Sequence, residues 1–144
     1  MKKILTIFAL GLLSLSLSAQ ESARWLRKSD ISADGSTIAF SYQGDIFTVP
    51  VSGGLAKQIT SNQAYDSDPL WTADGKSIVF SSFREGTKDI WIIPAEGGKA
   101  RRLTTFPGAE TPLFVSKDGV VYFSANIQPD VNYDKFPGEP QVYT

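Results

Sequence analysis

Hydrophobic residues fall along this chain in one long apolar run at the start, and afterwards in short bursts separated by polar, glycine-rich breaks. Three bursts resemble one another: "IAFS" at 38–41, "IVFS" at 78–81 and "VYFS" at 121–124. Each is preceded by Asp-Gly, at 34–35, 74–75 and 118–119. Behind the first two come "DIFTVPVSGG" (45–54) and "DIWIIPAEGG" (89–98), then "AKQIT" (56–60) and "ARRLT" (100–104). Bursts this short, rich in Ile, Val, Phe and Tyr and bounded by turn residues, predict β-strands. Asp-Gly predicts a two-residue hairpin turn, whose central positions favour φ > 0, and Gly-Gly at 53–54 and 97–98 predicts the next turn. Pro50 and Pro94 fall late in the third strand, where a missing N–H costs least if it points away from the ladder.

Spacing turns these strands into an architecture. Asp45 to Asp89, Pro50 to Pro94, Gly53 to Gly97 and Thr60 to Thr104 are all 44 residues apart. A period of ~40–45 residues with several short strands per unit is the sequence pattern of a β-propeller. The fold expected is therefore all-β, with blades of four antiparallel strands. The "IAFS" strands carry little charge, as strands buried on both faces between neighbouring blades would. The third unit is one residue shorter after its Asp-Gly. Between second and third strands the units differ, from "YQG" to "SFREGTK" to "ANIQPDVNYDKFPGEP". Two readings of that growth stand: a binding face, because such insertions map to one side of a repeat protein, or drift in solvent-exposed loops.

The opening run is read as an address. "MKK" supplies positive charge and "ILTIFALGLLSLSLSA" an apolar core ending in small residues, so residues 1–19 are expected to form a signal peptide cleaved after Ala19. A membrane-spanning helix needs ~20 apolar residues, more than this run supplies. The mature chain, from about Gln20, is expected to be exported to the periplasm or secreted, with no membrane association after cleavage. Residues 20–144 hold two blades and most of a third, about two and a half to three, whereas closed propellers have about 4–8. "PQVYT" aligns with "DIFT" and "DIWI", inside a strand. The expectation is an incomplete propeller, the N-terminal part of a longer protein, whose partners include missing downstream blades or domains.

Composition removes much chemistry. The 14 Lys and Arg against 15 Asp and Glu argue against nucleic-acid binding. With no Cys and no His, disulfides, thiolate metal sites, His-ligated zinc and Ser-His or Cys-His catalysis are all excluded. "DVNYD", with Asp130, Asn132 and Asp134, has the 1-3-5 oxygen spacing of a calcium loop. It then offers Lys135 and Gln141 where an EF-hand needs Gly and Glu, so a polar blade loop is preferred. Asp66 and Asp68 in "YDSDP" are read as a turn entering a strand. "GGKARR" lacks the upstream glycine of a phosphate loop. Its Lys99, Arg101 and Arg102 are assigned to a solvated blade edge, and Trp71 and Trp91 to core. No motif places a Ser-Lys pair. No catalytic, cofactor-binding or metal-binding residue is assigned, and no cofactor is expected.

"PLWTADGKSIVFSSFREGTKDIWIIPAEGGKARRLT" resembles the PD40 repeat of TolB-type β-propellers, a relative of WD40 that here lacks the Gly-His element. The opening blade, "ISADGSTIAFSYQGDIFTVPVSGG", resembles the first propeller of exported tricorn-like serine peptidases. That resemblance implies a non-catalytic module guiding or filtering peptides toward a protease domain further along the chain. The ligand would be a peptide or protein at the propeller face. The alternatives are a periplasmic TolB-like interaction propeller and the N-terminal propeller of a prolyl-oligopeptidase-type enzyme with a downstream G-x-S-x-G elbow.

Overall fold

A computed structural model of the chain describes residues 25–125 and 141–144, and these are all β. The signal segment and the "DVNYD" loop lie outside the described residues. The first sheet runs in the order β1 (Arg27–Ile31), β2 (Thr37–Tyr42), β3 (Asp45–Pro50) and β4 (Lys57–Gln58). A second sheet repeats it with β5 (Asp66–Trp71), β6 (Ser77–Ser82), β7 (Asp89–Pro94) and β8 (Arg101–Arg102). A third has β9 (Glu110–Val115), β10 (Val121–Ala125) and β11 (Gln141–Tyr143), in the order β11-β10-β9. All pairings are antiparallel. Strand β11 therefore takes the place of β3 and β7, as the alignment of "QVYT" predicts.

The Asp-Gly turns are wider than predicted. Gly35, Gly75 and Gly119 have positive φ, but the aspartates before them do not. The Gly75 N–H donates to Thr72 O at 2.9 Å, and the Thr72 N–H donates to Ser77 O at 3.0 Å. Four residues thus separate the closing pair, and one glycine absorbs the left-handed step. The aspartate's job is polar: Asp74 Oδ1 accepts from the Lys76 N–H at 3.0 Å and from the Thr72 hydroxyl at 2.7 Å. Such side-chain bonds close a turn without help from Asp φ. The ladder also continues beyond the prolines, since the Ala95 N–H donates to Lys76 O at 2.9 Å.

Side chains lock the sheets face to face. Ala39, Ile46 and Ile59 of the first pack on Ile78, Phe80, Trp91 and Ile93 of the second. Val79 and Ile90, on the second sheet's other side, pack on Val115, Phe123 and Ala125. Of the three second strands β2, β6 and β10, only β6 is buried on both faces as predicted; in β2 Ala39 and Ser41 are buried, while Ile38, Phe40 and Tyr42 alternate with them half-buried. The reason is position: among the described residues only the middle sheet has a neighbour on each side. Innermost strands sit side by side, β1 against β5 and β5 against β9, with no comparable contact between β4 and β8. Sheets that converge at the first strand and splay at the fourth are wedges about a common axis, the geometry of propeller blades.

Candidate functional site

Antiparallel connectivity gives the array two sides. The Asp-Gly and Gly-Gly turns share one, the turn side. The loops between second and third strands, and the links from each fourth strand to the next blade, share the other, the loop side. Charge gathers at the seams of the loop side. The Asp66 N–H, at the start of β5, donates to Gly44 O of the first blade at 2.7 Å, and the Glu110 N–H donates to Lys88 O at 2.7 Å. The first strands of the second and third blades are thereby stitched to the preceding blade's loop.

Both acids that follow these stitches are fully buried. Asp66 Oδ2 accepts from Arg84 Nη2 at 2.7 Å. The Arg84 guanidinium carbon also lies 5.3 Å from the ring centroids of Phe80 and Trp91, so the cation caps the aromatic core while neutralising the carboxylate. Beside it, Lys88 Nζ donates to Asp68 Oδ2 and to Thr111 Oγ1, each at 2.9 Å, tying the second blade's loop to two inner strands. Asp68 stands at φ +55, in the bulged part of β5. A non-glycine residue there is strained, and its ion pair holds it in place. Asp66 and Asp68 therefore turn to different cations instead of converging as metal ligands would. They belong to β5 itself, which corrects their placement in a turn before it.

A threonine clasp recurs at the expected spacing. The Ile46 N–H donates to Thr60 Oγ1 and the Ile90 N–H to Thr104 Oγ1, both at 2.9 Å. The Thr60 hydroxyl is also 3.2 Å from Asp45 Oδ1, whereas the Thr104 hydroxyl donates to Glu110 Oε2. Burial raises the Glu110 pKa, opposed by the bonds from Thr104 and the Ile90 backbone; Asp89 pushes it up further, while Arg102 pulls it down. Burial likewise raises Asp45, against the Thr60 bond. Arg102 is no free edge cation: its Nη2 lies 2.9 Å from Asp89 Oδ2, and that carboxylate is buried. Lys99 and Arg101 are exposed as expected. Trp91 is core, and Trp71 packs against that core from a half-buried position.

On the turn side a cavity of about 530 Å³ opens between the first two blades. Trp71, Leu55, Asp34, Asp74 and the exposed Lys57–Glu96 pair (2.6 Å) contribute to its walls. Asp34 is lowered to about 2, chiefly by the Ser32 hydroxyl and then by bonds from Ser36. The Thr72 hydroxyl and the Lys76 N–H lower Asp74 in the same way. These carboxylates are committed to their turns. Among the described residues no three acidic groups assemble as a metal cage would.

Sequence reasoning missed Arg84, Lys88, Asp89 and Glu110. One signal was present: Asp66 and Glu110 repeat an acid at the same 44-residue offset as the four landmarks. The arrangement is suited to recognition, through a rigid platform with fixed charges at its loop rim.

Comparison with known proteins agrees with the geometry. The family described as "Tricorn protease N-terminal beta propeller domain" matches residues 23–136. Tricorn protease homolog 1 of Streptomyces coelicolor is 30% identical over 79 residues, which cover 55% of this chain and 7% of that protein. The uncharacterized peptidase YuxL of Bacillus subtilis is 37% identical over 81 residues, covering 55% of this chain and 12% of its own. The chain thus spans a small part of the length of these relatives. Among solved structures, a putative TolB from Agrobacterium tumefaciens superposes with a TM-score of 0.68 at 23% identity, over 81% of this chain and 44% of that one. The tricorn protease superposes at 0.59 with 24% identity, over 69% of this chain and 10% of its own.

Proposed function

The chain belongs to the tricorn protease N-terminal β-propeller family, and from that premise we propose that it is the non-catalytic propeller module of an exported tricorn-like serine peptidase. The module guides or filters peptides toward a protease domain carried elsewhere in the protein. The observation that carries this reading is the family match across residues 23–136, and the loop-side rim supports it. Lys88 and Arg84 sit there in the loop between β6 and β7, held by ion pairs to Asp68 and the buried Asp66, as a surface that selects ligands without changing them requires. Export is part of the proposal and rests on the charged, apolar and small-residue order of residues 1–19.

The superposition with a putative TolB over 81% of the chain favours a second reading, a periplasmic interaction propeller that binds partner proteins. Peptide hydrolysis by the full-length protein separates the two. Under the first reading, removing the propeller slows cleavage of long peptides and spares very short ones. Absence of peptidase activity from the full-length protein, or an unchanged dependence on peptide length, would leave the interaction reading. Intact mass of the exported form should place its first residue within one or two positions of Gln20; retention of Met1 would refute cleavage.

A further inference from the structure

At the loop-side corner of the first two blades lies a cavity of about 420 Å³ bounded by Trp25, Arg27, Gln43 and Tyr65. Its two aromatic walls are equivalent in the repeat. Ile31 pairs with Ile38 as Trp71 pairs with Ile78, an offset of 40 that carries Trp25 onto Tyr65. Both rings are substantially exposed, Trp25 at 67% and Tyr65 at 48%. Their positions are built in. A Cβ at Gly44 would stand 3.2 Å from the Tyr65 ring, so the ring lies against a turn that only glycine leaves open. Gln43 and Gly44, at φ 51° and 92°, are the central residues of the two-residue β2–β3 hairpin closed by the Tyr42–Asp45 pair, so that turn fixes Gln43 at the corner. Trp25 also has positive φ, at 79°, outside any such hairpin.

The charge at this corner is also specific. The Arg27 guanidinium carbon lies 5.7 Å from the Trp25 ring centroid, and among the described residues no carboxylate pairs with it. Arg84 and Arg102 differ in having carboxylate partners, and Arg101, exposed like Arg27, has no aromatic ring beside it among the described residues. A guanidinium over an indole face keeps N–H donors that match a carboxylate. Flanking aromatic faces accept a flat apolar ring, as grooves that read proline-rich segments do.

We propose that the Trp25–Arg27–Tyr65 corner binds an extended peptide segment in which an acidic side chain adjoins a proline or aromatic residue. The ring lies between Trp25 and Tyr65, and the carboxylate meets Arg27. This rests on the reading of the propeller as a peptide-handling module and names the chemistry its loop side selects.

The test uses the full-length protein and fluorescence-labelled peptides blocked at the carboxyl terminus, so that only side-chain carboxylates are offered. Three probes of equal length alternate Pro-Glu, Pro-Lys or Ser-Glu. The Pro-Glu probe should bind at least about tenfold more tightly than either other probe, and added salt should weaken it. Arg27→Gln and Trp25→Ala should each reduce its affinity by about tenfold or more, a loss of the size expected from one desolvated charged or aromatic contact. Lys117→Gln, on the turn side, should leave binding unchanged. Equal binding of Pro-Lys, no binding of Pro-Glu, or an unaffected Arg27→Gln variant overturns the proposal. Tighter binding by Glu21→Gln overturns it too, by making the chain's own preceding segment the occupant. If peptides are still cleaved at an unchanged rate while Pro-Glu does not bind, this proposal alone falls. If Pro-Glu binds at the corner of a protein without peptidase activity, the peptidase reading falls and the site stands.

Discussion

Gly75 stands at φ +67 with nothing within 4 Å of where a Cβ would be, so a substituent there meets backbone strain and no obstacle. β-Branched residues tolerate that region worst and asparagine best. Gly75→Val should lower stability by about 1 kcal/mol or more and Gly75→Asn by much less, read from urea midpoints. Equal costs would remove the left-handed turn from the explanation. Two carboxyls make opposite pH predictions. Asp34 is depressed to about 2, so its contribution is full above the ordinary value of 3.8 and is lost as pH falls through about 2. The deficit of Asp34→Asn at neutral pH should therefore vanish in acid. Glu110 is raised, so the folded state holds its proton more tightly, and the stabilisation present at low pH is lost as pH rises above the ordinary 4.5. Glu110→Gln keeps an acceptor for Thr104 and carries no charge. It should gain on the wild type in thermal melts as pH rises above 4.5, whereas a parallel pH profile would remove the raised Glu110 pKa from the explanation.

At the scale of strands and turns, what was legible followed local rules. Asp-Gly, Gly-Gly, late proline and the apolar bursts each act within a few residues, and each strand lies where they point. The width of the Asp-Gly turns was not legible, because Ser32 and Thr72 close them through side-chain oxygens that a dipeptide rule ignores. The loop-side seams were hidden for a different reason. Arg84 arises from "SFREGTK", an insertion with no counterpart in the first blade, and its partner Asp66 lies at the start of β5, 18 residues away. No periodicity predicts a pairing that occurs once. Its cost when broken is expected to be large, since removing one member leaves the other charge buried and unpaired. Arg84→Ala should destabilise by about 3 kcal/mol, and Arg84→Ala with Asp66→Asn by less than Arg84→Ala alone. Denaturant unfolding of the single and double variants checks this; a double variant worse than the single would remove the ion pair as the cause.

For the whole array, the repeat permits a comparison between equivalent residues in unequal surroundings. Phe80 is completely buried, with the first blade's Ala39, Ile46 and Ile59 in the same core cluster. Phe40 is its counterpart forty residues earlier. It stacks on Phe47 at 5.8 Å between centroids, within its own sheet, and is half-buried because no described blade covers that face. Phe114 and Tyr122 are similarly open on the third blade, at 58% and 36% exposure. In the first two blades Phe40 and Phe80 lie on one face and Ala39 and Val79 on the other, so the first blade's outer face is shaped for a neighbour like the one the second blade already has. Phe80→Ala should cost about 3–5 kcal/mol, the range for a buried aromatic that leaves a cavity. In the 144-residue polypeptide Phe40→Ala should cost no more than about half as much, because it removes one-sided packing and opens no enclosed void. Chemical denaturation of the two variants side by side makes the measurement. A loss at Phe40 equal to that at Phe80 would mean that its outer side is already covered, and a fall in that loss on dilution would identify the cover as a second copy.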